Sequence, residues 1–97
     1  MLERNIATKI RKALIAEGAK VIKIHGSSNM EAGTPDLIGC LRGRCFALEV
    51  KRDKHHHATN LQKMRLAEWS EAGALVGVVW TVEMALEIVK NNLTNPK

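Results

Sequence analysis

The chain has 97 residues, of which 45% are hydrophobic and 26% are charged, and its formal net charge at pH 7 is +5. This length and composition exclude a disordered chain and leave too few residues for two separate cores, so we expect one domain over 1–97. No stretch approaches the ~20 consecutive apolar residues of a membrane-spanning helix, and the start lacks the apolar stretch of a secretion signal. We therefore expect a cytoplasmic protein without a membrane partner.

The positive charge is concentrated in the first two thirds of the chain. Residues 1–65 contain 13 basic and six acidic side chains, whereas residues 66–97 contain two basic and four acidic ones. Such polarity favours contact of one face with a polyanion, although a basic protein without a nucleic-acid partner fits the charge equally well. Aromatic residues make up only 3% of the chain. Stacking on single-stranded bases is therefore not expected to dominate, while contact with a duplex backbone stays open.

The spacing of apolar residues and turn formers predicts an α/β fold in the order α-β-β-β-α-β-α, a mixed sheet flanked by helices. A capping box at Thr59 and Gln62 and an N-cap at Thr81 mark the starts of the second and third helices. The continuous apolar run at 74–80 predicts the most central strand. In chain order we expect a helix over about 2–17, a strand over 19–25, a loop over 26–35, a hairpin of strands 36–41 and 45–51, a helix over 59–72, a strand over 74–80 and a helix from 82 to about Leu93.

The cysteines and the histidine run do not predict a metal site. Cys40 and Cys45 have neither zinc-site spacing nor a disulfide framework around them, so we expect them to be small buried hydrophobic residues. The three consecutive histidines at 55–57 cannot converge on one ion with good geometry. We expect them in a loop that contacts phosphate or solvent.

The hairpin predicts an unusual pair of carboxylates. If Arg42 and Gly43 are its two turn residues, Asp36 faces Glu49 across the strands, and Lys51 lies on the same face as Glu49. Like charges facing each other destabilise a sheet, and a divalent cation bound by oxygen ligands would relieve that cost. The alternatives are a solvated sheet face with a Glu–Lys ion pair, or a register shifted by one residue.

Two further polar side chains fall on helix faces that should be apolar. Glu3 lies on the core-facing stripe of the first helix, where a carboxylate stabilised by the helix dipole is the simpler interpretation. Gln62 lies on the buried stripe of the second helix, and its capping box with Thr59 explains it without any other role.

These residues form a pattern that resembles a known superfamily. Thr34-Pro35-Asp36, followed after twelve residues by Glu49-Val50-Lys51, resembles the Pro-Asp…Glu-x-Lys motif of the PD-(D/E)XK nucleases. The wider pattern of 33–38, 48–52 and Gln62 resembles the virus-type replication-repair nuclease (VRR-NUC) family, in particular its stand-alone members from phages and bacteria. The resemblance implies a restriction-endonuclease-like PD-(D/E)XK core that forms a single VRR-NUC domain. It also implies a location in a bacterial cell, with a gene carried by either the bacterium or a phage.

The resemblance also implies an activity and a set of site residues. The activity is that of an endonuclease dependent on Mg²⁺ or Mn²⁺, without an organic cofactor. The metal ligands would be Asp36, Glu49 and the main-chain carbonyl of Val50, with Glu3 binding through water or fixing the catalytic geometry. The catalytic set would also include Lys51, which orients or activates the attacking water, and Gln62, which supports the site. Basic residues near the motif in sequence would hold DNA phosphates: Arg42, Arg44, Arg52, Lys54, Lys63 and Arg65.

The substrate implied by the resemblance is DNA with a particular structure, such as a branched or Holliday-type junction in replication or repair. We expect a homodimer, because two sites can cut two strands, with Trp69 or Trp80 as interface candidates. Two alternatives stay open: a non-catalytic DNA-binding module, and a restriction-type or recombination-type nuclease of the same superfamily.

Overall fold

The computed structural model describes residues 1–26 and 30–91. The element order is the predicted one, and the bounds agree with the sequence patterns to within a few residues. The predicted end of the last helix near Leu93 lies outside the described residues, as do residues 27–29 of the predicted loop. The elements are α1 (Glu3–Ala16), β1 (Lys20–Lys23), β2 (Leu37–Leu41), β3 (Arg44–Val50), α2 (Asn60–Glu71), β4 (Leu75–Val79) and α3 (Val82–Asn91).

Local signals in the sequence set the helix ends. Both hydrogen bonds of the predicted capping box are present at the start of α2, between Thr59 and Gln62. The Thr81 hydroxyl accepts a hydrogen bond from the Met84 N–H at 3.1 Å, so Thr81 caps α3 as predicted. Beyond the end of α1 the backbone turns at Gly18 with φ +103°, a left-handed conformation that glycine adopts without steric cost.

The four strands form one mixed sheet in the order β1-β2-β3-β4. The first two pairings are antiparallel, and β3 pairs with β4 in parallel, as expected for the connection through α2. The β2–β3 turn residues Arg42 and Gly43 have φ of 50° and 86°, which is typical of the two-residue turn that suits a twisted hairpin. This turn fixes the predicted register, in which Cys40 pairs with Cys45.

The prediction that 74–80 forms the most central strand is wrong. Among the described residues β4 is an edge strand of the sheet, next to β3 alone. Both α2 and α3 pack against β4, and its end residues Leu75 and Val79 are buried. Helices on both faces therefore account for the apolar run, and a pattern of burial alone does not distinguish a covered edge strand from a central one.

The main core lies between the sheet and the α1–α3 layer. Its largest fully buried side chains include Ile10, Leu14, Phe46 and Leu48. Within the described ranges no helix is long and apolar enough to span a bilayer.

The two cysteines are not buried core residues, contrary to the prediction. Cys40 is half-buried and Cys45 is exposed, and both are free thiols. They alternate with the core residue Phe46 along the hairpin, so they lie on the opposite face of the sheet, the one that α2 covers. Because α2 packs on β3 and β4 and the two cysteines lie at the turn end of the hairpin, this part of the face stays open.

Candidate active site

Two carboxylates meet where the β2–β3 hairpin opens. Asp36 directly precedes β2, and the hairpin register, continued by one step past the Leu37–Leu48 pair, places it opposite Glu49. The Val50 N–H donates a hydrogen bond to Asp36 Oδ2 at 2.8 Å. The Asp36 carboxylate is therefore fixed against the end of β3, beside Glu49, as the sequence predicted.

Glu49 is the one charged side chain that is buried among the described residues, at 2% exposed. Its Oε2 lies 3.5 Å from Lys51 Nζ, and its Oε1 has no hydrogen-bond partner. Burial, followed by the charge of Asp36, raises the pKa of Glu49 to about 8, and the nearby Lys51 only partly offsets this. A buried carboxylate with a vacant oxygen beside a second carboxylate lacks positive charge, and a divalent cation would supply it.

Lys51 extends β3 by one residue and places its ammonium on the carboxylate side of the strand. Its N–H donates to the Val79 carbonyl at 2.9 Å, which continues the β3–β4 ladder. Its side chain is 12% exposed, so the ammonium lies at the boundary between the buried Glu49 and solvent. From this position the Lys51 ammonium can contact both the Glu49 carboxylate and a group that enters from solvent.

The backbone of Val50 also faces the site. In a strand the N–H and C=O of one residue point to the same side, and the N–H of Val50 points to Asp36, away from β4. Its carbonyl oxygen is therefore directed to the same side as Asp36. This orientation supports the prediction that the Val50 carbonyl is an additional metal ligand.

A cavity of about 580 Å³ opens beside Asp36 and Val50, and the start of α1 forms its opposite wall. The predicted residues Glu3 and Arg52 line it together with Asp36 and Val50. Glu49 and Lys51 do not line the cavity. Asp36, which does line it, lies beside Glu49. The complete lining is Leu2, Glu3, Arg4, Ala7, Lys23, Asp36, Val50 and Arg52.

Arg4 and Lys23 are site residues that sequence reasoning missed. Arg4 is an ordinary exposed residue of α1, and Lys23 continues the alternation of β1, so neither breaks a local pattern. Their proximity to Asp36 depends on the pairing of β1 with β2, in which Lys23 lies opposite Leu37. No signal in the sequence indicates that pairing.

Gln62 lies in the first turn of α2, and its known contacts are those of a helix cap. Its Oε1 accepts a hydrogen bond from the Thr59 N–H at 2.9 Å, and its own N–H donates to the Thr59 hydroxyl at 3.1 Å. It does not line the cavity beside Asp36. The capping interpretation is therefore confirmed, and a supporting role in the site stays a prediction.

Arg42 and Arg44 lie at the turn end of the hairpin, away from the carboxylates. Arg42 lies six positions after Asp36 along an extended strand, which is about 20 Å at ~3.3 Å per residue. Arg44 Nε also donates a hydrogen bond to the Gly73 carbonyl at 3.1 Å, which ties the hairpin to the end of α2. The two arginines therefore lie away from the carboxylates, and their contact with DNA phosphates stays a prediction.

Arg65 is engaged within the protein. Its Nε donates to the Ala32 carbonyl at 2.9 Å, and its Nη1 donates to both carboxylate oxygens of Glu68 at 3.1 and 3.3 Å. These contacts hold the loop before β2 on α2, so Arg65 supports the fold around Asp36. Lys54 and Lys63 are exposed and do not line the cavity.

The potential metal ligands are few. Over 1–26 and 30–91, no three His, Cys, Asp or Glu side chains group together in a way that could hold a metal ion. The histidine run lies in the exposed loop after β3, where His56 Nδ1 and Asp53 Oδ1 are 2.8 Å apart. The remaining donor set is Asp36, Glu49 and the Val50 carbonyl. It suits Mg²⁺, which uses one or two carboxylates and fills its other positions with water and substrate phosphate.

Comparison with known proteins gives one informative likeness. A solved structure described as a VRR_NUC domain superposes on this chain with a TM-score of 0.73 and 27% sequence identity, over 86% of this chain and 88% of that chain. No protein-family model and no curated protein matches the chain. The likeness therefore extends over most of both chains. It confirms the resemblance and the fold class that the sequence motifs predicted.

Proposed function

We propose that this chain, which is similar to a VRR_NUC domain in fold and motif, is a metal-dependent endodeoxyribonuclease that hydrolyses DNA phosphodiester bonds at branched or Holliday-type junctions. The observation that carries this proposal is the Asp36–Glu49 pair, in which Glu49 is buried with an unpartnered Oε1 and lies beside the Lys51 ammonium. The two carboxylates need a cation nearby to be stable, and the Lys51 ammonium suits a negatively charged phosphodiester. A phosphodiester that enters together with a divalent cation therefore matches both parts of the site.

The cavity suits a negatively charged substrate. Arg4, Lys23 and Arg52 line it along with the carboxylates Glu3 and Asp36. A phosphodiester repels an incoming nucleophile through its own negative charge, and fixed cations around it reduce this repulsion. The three basic side chains would therefore hold the phosphate while the carboxylates face its reacting side.

Asp36, Glu49 and the Val50 carbonyl would hold Mg²⁺ or Mn²⁺, and Glu3 would contact the ion through water. A cation held by these residues would supply positive charge to a phosphoryl oxygen and would lower the pKa of a bound water. Asp36 is suited to this role because the Val50 N–H already fixes its carboxylate. Glu49 is suited because burial leaves its Oε1 without a competing partner.

Lys51 is the residue best placed to act on the attacking water. Hydrolysis forms a bond from the water oxygen to phosphorus and breaks the bond to the leaving oxygen; the proton lost by the water passes to solvent, and the leaving oxygen takes a proton from solvent. The Lys51 ammonium, 3.5 Å from Glu49 Oε2, can orient the water and stabilise the negative charge that develops on the phosphoryl oxygens.

We extend the proposal to a homodimer, since two sites are needed to cut two strands of a junction. Large apolar side chains are exposed on α2 and on the loop before β2, namely Leu61, Met64 and Met30. Trp69 on the same helix and Trp80 are half-buried. Light scattering after size-exclusion chromatography tests this part, with a mass near twice 10.7 kDa as the expected result.

The experiment that tests the activity compares labelled four-way junction, flap and plain duplex DNA, each with Mg²⁺, Mn²⁺ or EDTA. The proposal predicts metal-dependent cutting that prefers the branched substrates and is lost in Lys51→Ala. A matched control is Lys90→Ala, which removes the same charge from an exposed position of α3 and should cut normally. Binding without cutting on every substrate would indicate a DNA-binding module, and cutting of plain duplex at fixed sequences would indicate a restriction-type nuclease.

A further inference from the structure

A second groove adjoins the cavity and shares one of its walls. It measures about 400 Å³ and is lined by Thr8, Arg11, Ile22, Lys23 and His25. Lys23 lines both, so the groove begins where the cavity ends. No acidic residue is among the described residues that line the groove, whereas Glu3 and Asp36 line the cavity. The groove is therefore suited to an anion and not to a metal ion.

The groove follows one face of α1. Arg4, Thr8 and Arg11 are spaced by four and three residues, so their side chains lie in one row along the helix. The row runs for about 10 Å from the cavity, at ~1.5 Å per residue. Nucleotides of one DNA strand advance by ~3.4 Å each, so a row of this length corresponds to about three of them.

The opposite wall of the groove is the end of β1, and α1 is tied to it. Arg11 Nε donates to the Val21 carbonyl at 3.1 Å, which fixes the arginine beside the strand. The guanidinium has five N–H donors, so four others are not used by this bond. Lys23 is the last residue of β1 and His25 follows it by two residues, and both line the groove. The groove is thus preformed, with basic groups on both walls.

Of the basic residues predicted to hold DNA, Arg52 lines the cavity, and none of the others lines the cavity or this groove. Arg42 and Arg44 lie at the turn end of the hairpin, and Arg65 Nη1 is paired with Glu68. The α1–β1 groove, by contrast, joins the cavity directly through Lys23.

We propose that the α1–β1 groove, formed by Thr8, Arg11, Lys23 and His25, binds the phosphates that flank the scissile bond on the same DNA strand. This inference rests on the proposed function, because it assigns the path of the DNA that the cavity would cut. In this arrangement the DNA strand runs along α1 and β1, and the hairpin turn is not the principal DNA contact.

The test measures the affinity for a labelled four-way junction by fluorescence anisotropy, in EDTA and over a series of KCl concentrations. Thr8→Glu places a negative charge in the groove alone and should weaken binding roughly fivefold, as expected for one added repulsion near a phosphate. Lys23→Gln should reduce the slope of log K against log salt by about 0.9, the value for one lost phosphate contact. Ala67→Glu is the matched control, since it adds the same charge to an exposed position of α2.

The inference is overturned if Thr8→Glu binds the junction as tightly as Ala67→Glu does. It is also overturned if Arg42→Asn, which retains the left-handed turn, reduces the salt slope and Lys23→Gln does not. Unchanged thermal unfolding of Thr8→Glu shows that a loss of binding is not a loss of fold. If wild-type protein cuts the junction while the groove variants bind normally, only the groove assignment fails; if wild-type protein does not bind DNA, the proposed function fails too.

Discussion

Glu49 Oε2 lies 3.5 Å from Lys51 Nζ on one face of β3, while Oε1 of the same carboxylate has no hydrogen-bond partner. Lys51 therefore contacts only one of the two oxygens of this buried carboxylate, which also faces the negative charge of Asp36. The arrangement costs stability in the absence of a cation, because burial and the second carboxylate both oppose the charged form. Local instability of this kind is typical of functional sites, where the fold holds groups in place for a ligand.

The pKa of Glu49 predicts how stability depends on pH in EDTA. This pKa is raised from an ordinary 4.5 to about 8 in the folded protein, so between these values the folded state holds a proton that the unfolded state has lost. The resulting contribution to stability is fully present below pH 4.5 and is lost as the pH rises through 8. Urea denaturation from pH 5 to 9 should show the unfolding midpoint falling with pH.

Glu49→Gln is the control for this pH dependence, since it keeps the shape of the side chain and cannot ionise. The midpoint of this variant should vary little across the same range. A wild-type midpoint that is flat, or that rises from pH 5 to 8, would contradict the raised pKa of Glu49.

Divalent cations should stabilise the folded protein through Asp36 and Glu49. A ligand that binds only the folded state adds about 2.7 kcal/mol at a concentration of 100 times its Kd. Thermal unfolding at pH 8 should therefore shift upward with increasing Mg²⁺ or Mn²⁺ for wild-type protein and not for Asp36→Asn. Equal shifts in the two proteins would place the ion elsewhere.

Glu3 should affect the rate of cleavage more than the fold. It is exposed at the start of α1 and lines the cavity opposite Asp36. We expect Glu3→Gln to lower the single-turnover rate by ~10–100-fold, the usual effect of losing a group that acts on a metal through water, with an unchanged unfolding temperature. Glu71→Gln, an exposed substitution on α2, is the matched control. A wild-type cleavage rate for Glu3→Gln would contradict the assignment of Glu3 to the active site.

Gly39 should be essential to the packing of β1 on the hairpin. A Cβ at this position would collide with the Lys20 carbonyl oxygen and would lie 2.7 Å from Phe46 Cζ and 2.9 Å from Val21 Cα. We expect Gly39→Ala to cost about 1–3 kcal/mol, as overpacking does, and to disturb the wall that carries Lys23. Gly26→Ala is the control, because a Cβ there meets nothing within 4 Å. Equal unfolding midpoints for the two variants would contradict the close approach of β1 to Gly39.

The parts of the fold and site that could be predicted depend on short-range rules. The Arg42-Gly43 turn fixes the hairpin register, and that register alone places Asp36 beside Glu49. The capping box of α2 likewise follows from Thr59 and Gln62, three residues apart.

The remainder depends on contacts between distant segments. Arg65 holds the Ala32 carbonyl across 33 residues of sequence, so its proximity to the motif gave no indication that its donors are engaged. Lys23 reaches the cavity only because β1 pairs with β2. The edge position of β4 depends on where two helices pack, which apolar periodicity does not encode.

The most direct test of the account is a pair of measurements on Asp36→Asn, which keeps an oxygen for the Val50 N–H and removes the charge. Single-turnover cleavage of a four-way junction in Mg²⁺ and the Kd for the same junction in EDTA are compared with wild-type protein. We expect a cleavage rate reduced by more than ~10²-fold, with a Kd that is unchanged or lower because one negative charge near the phosphate is gone. Cleavage by Asp36→Asn at the wild-type rate would contradict the assignment of this carboxylate pair as the catalytic centre.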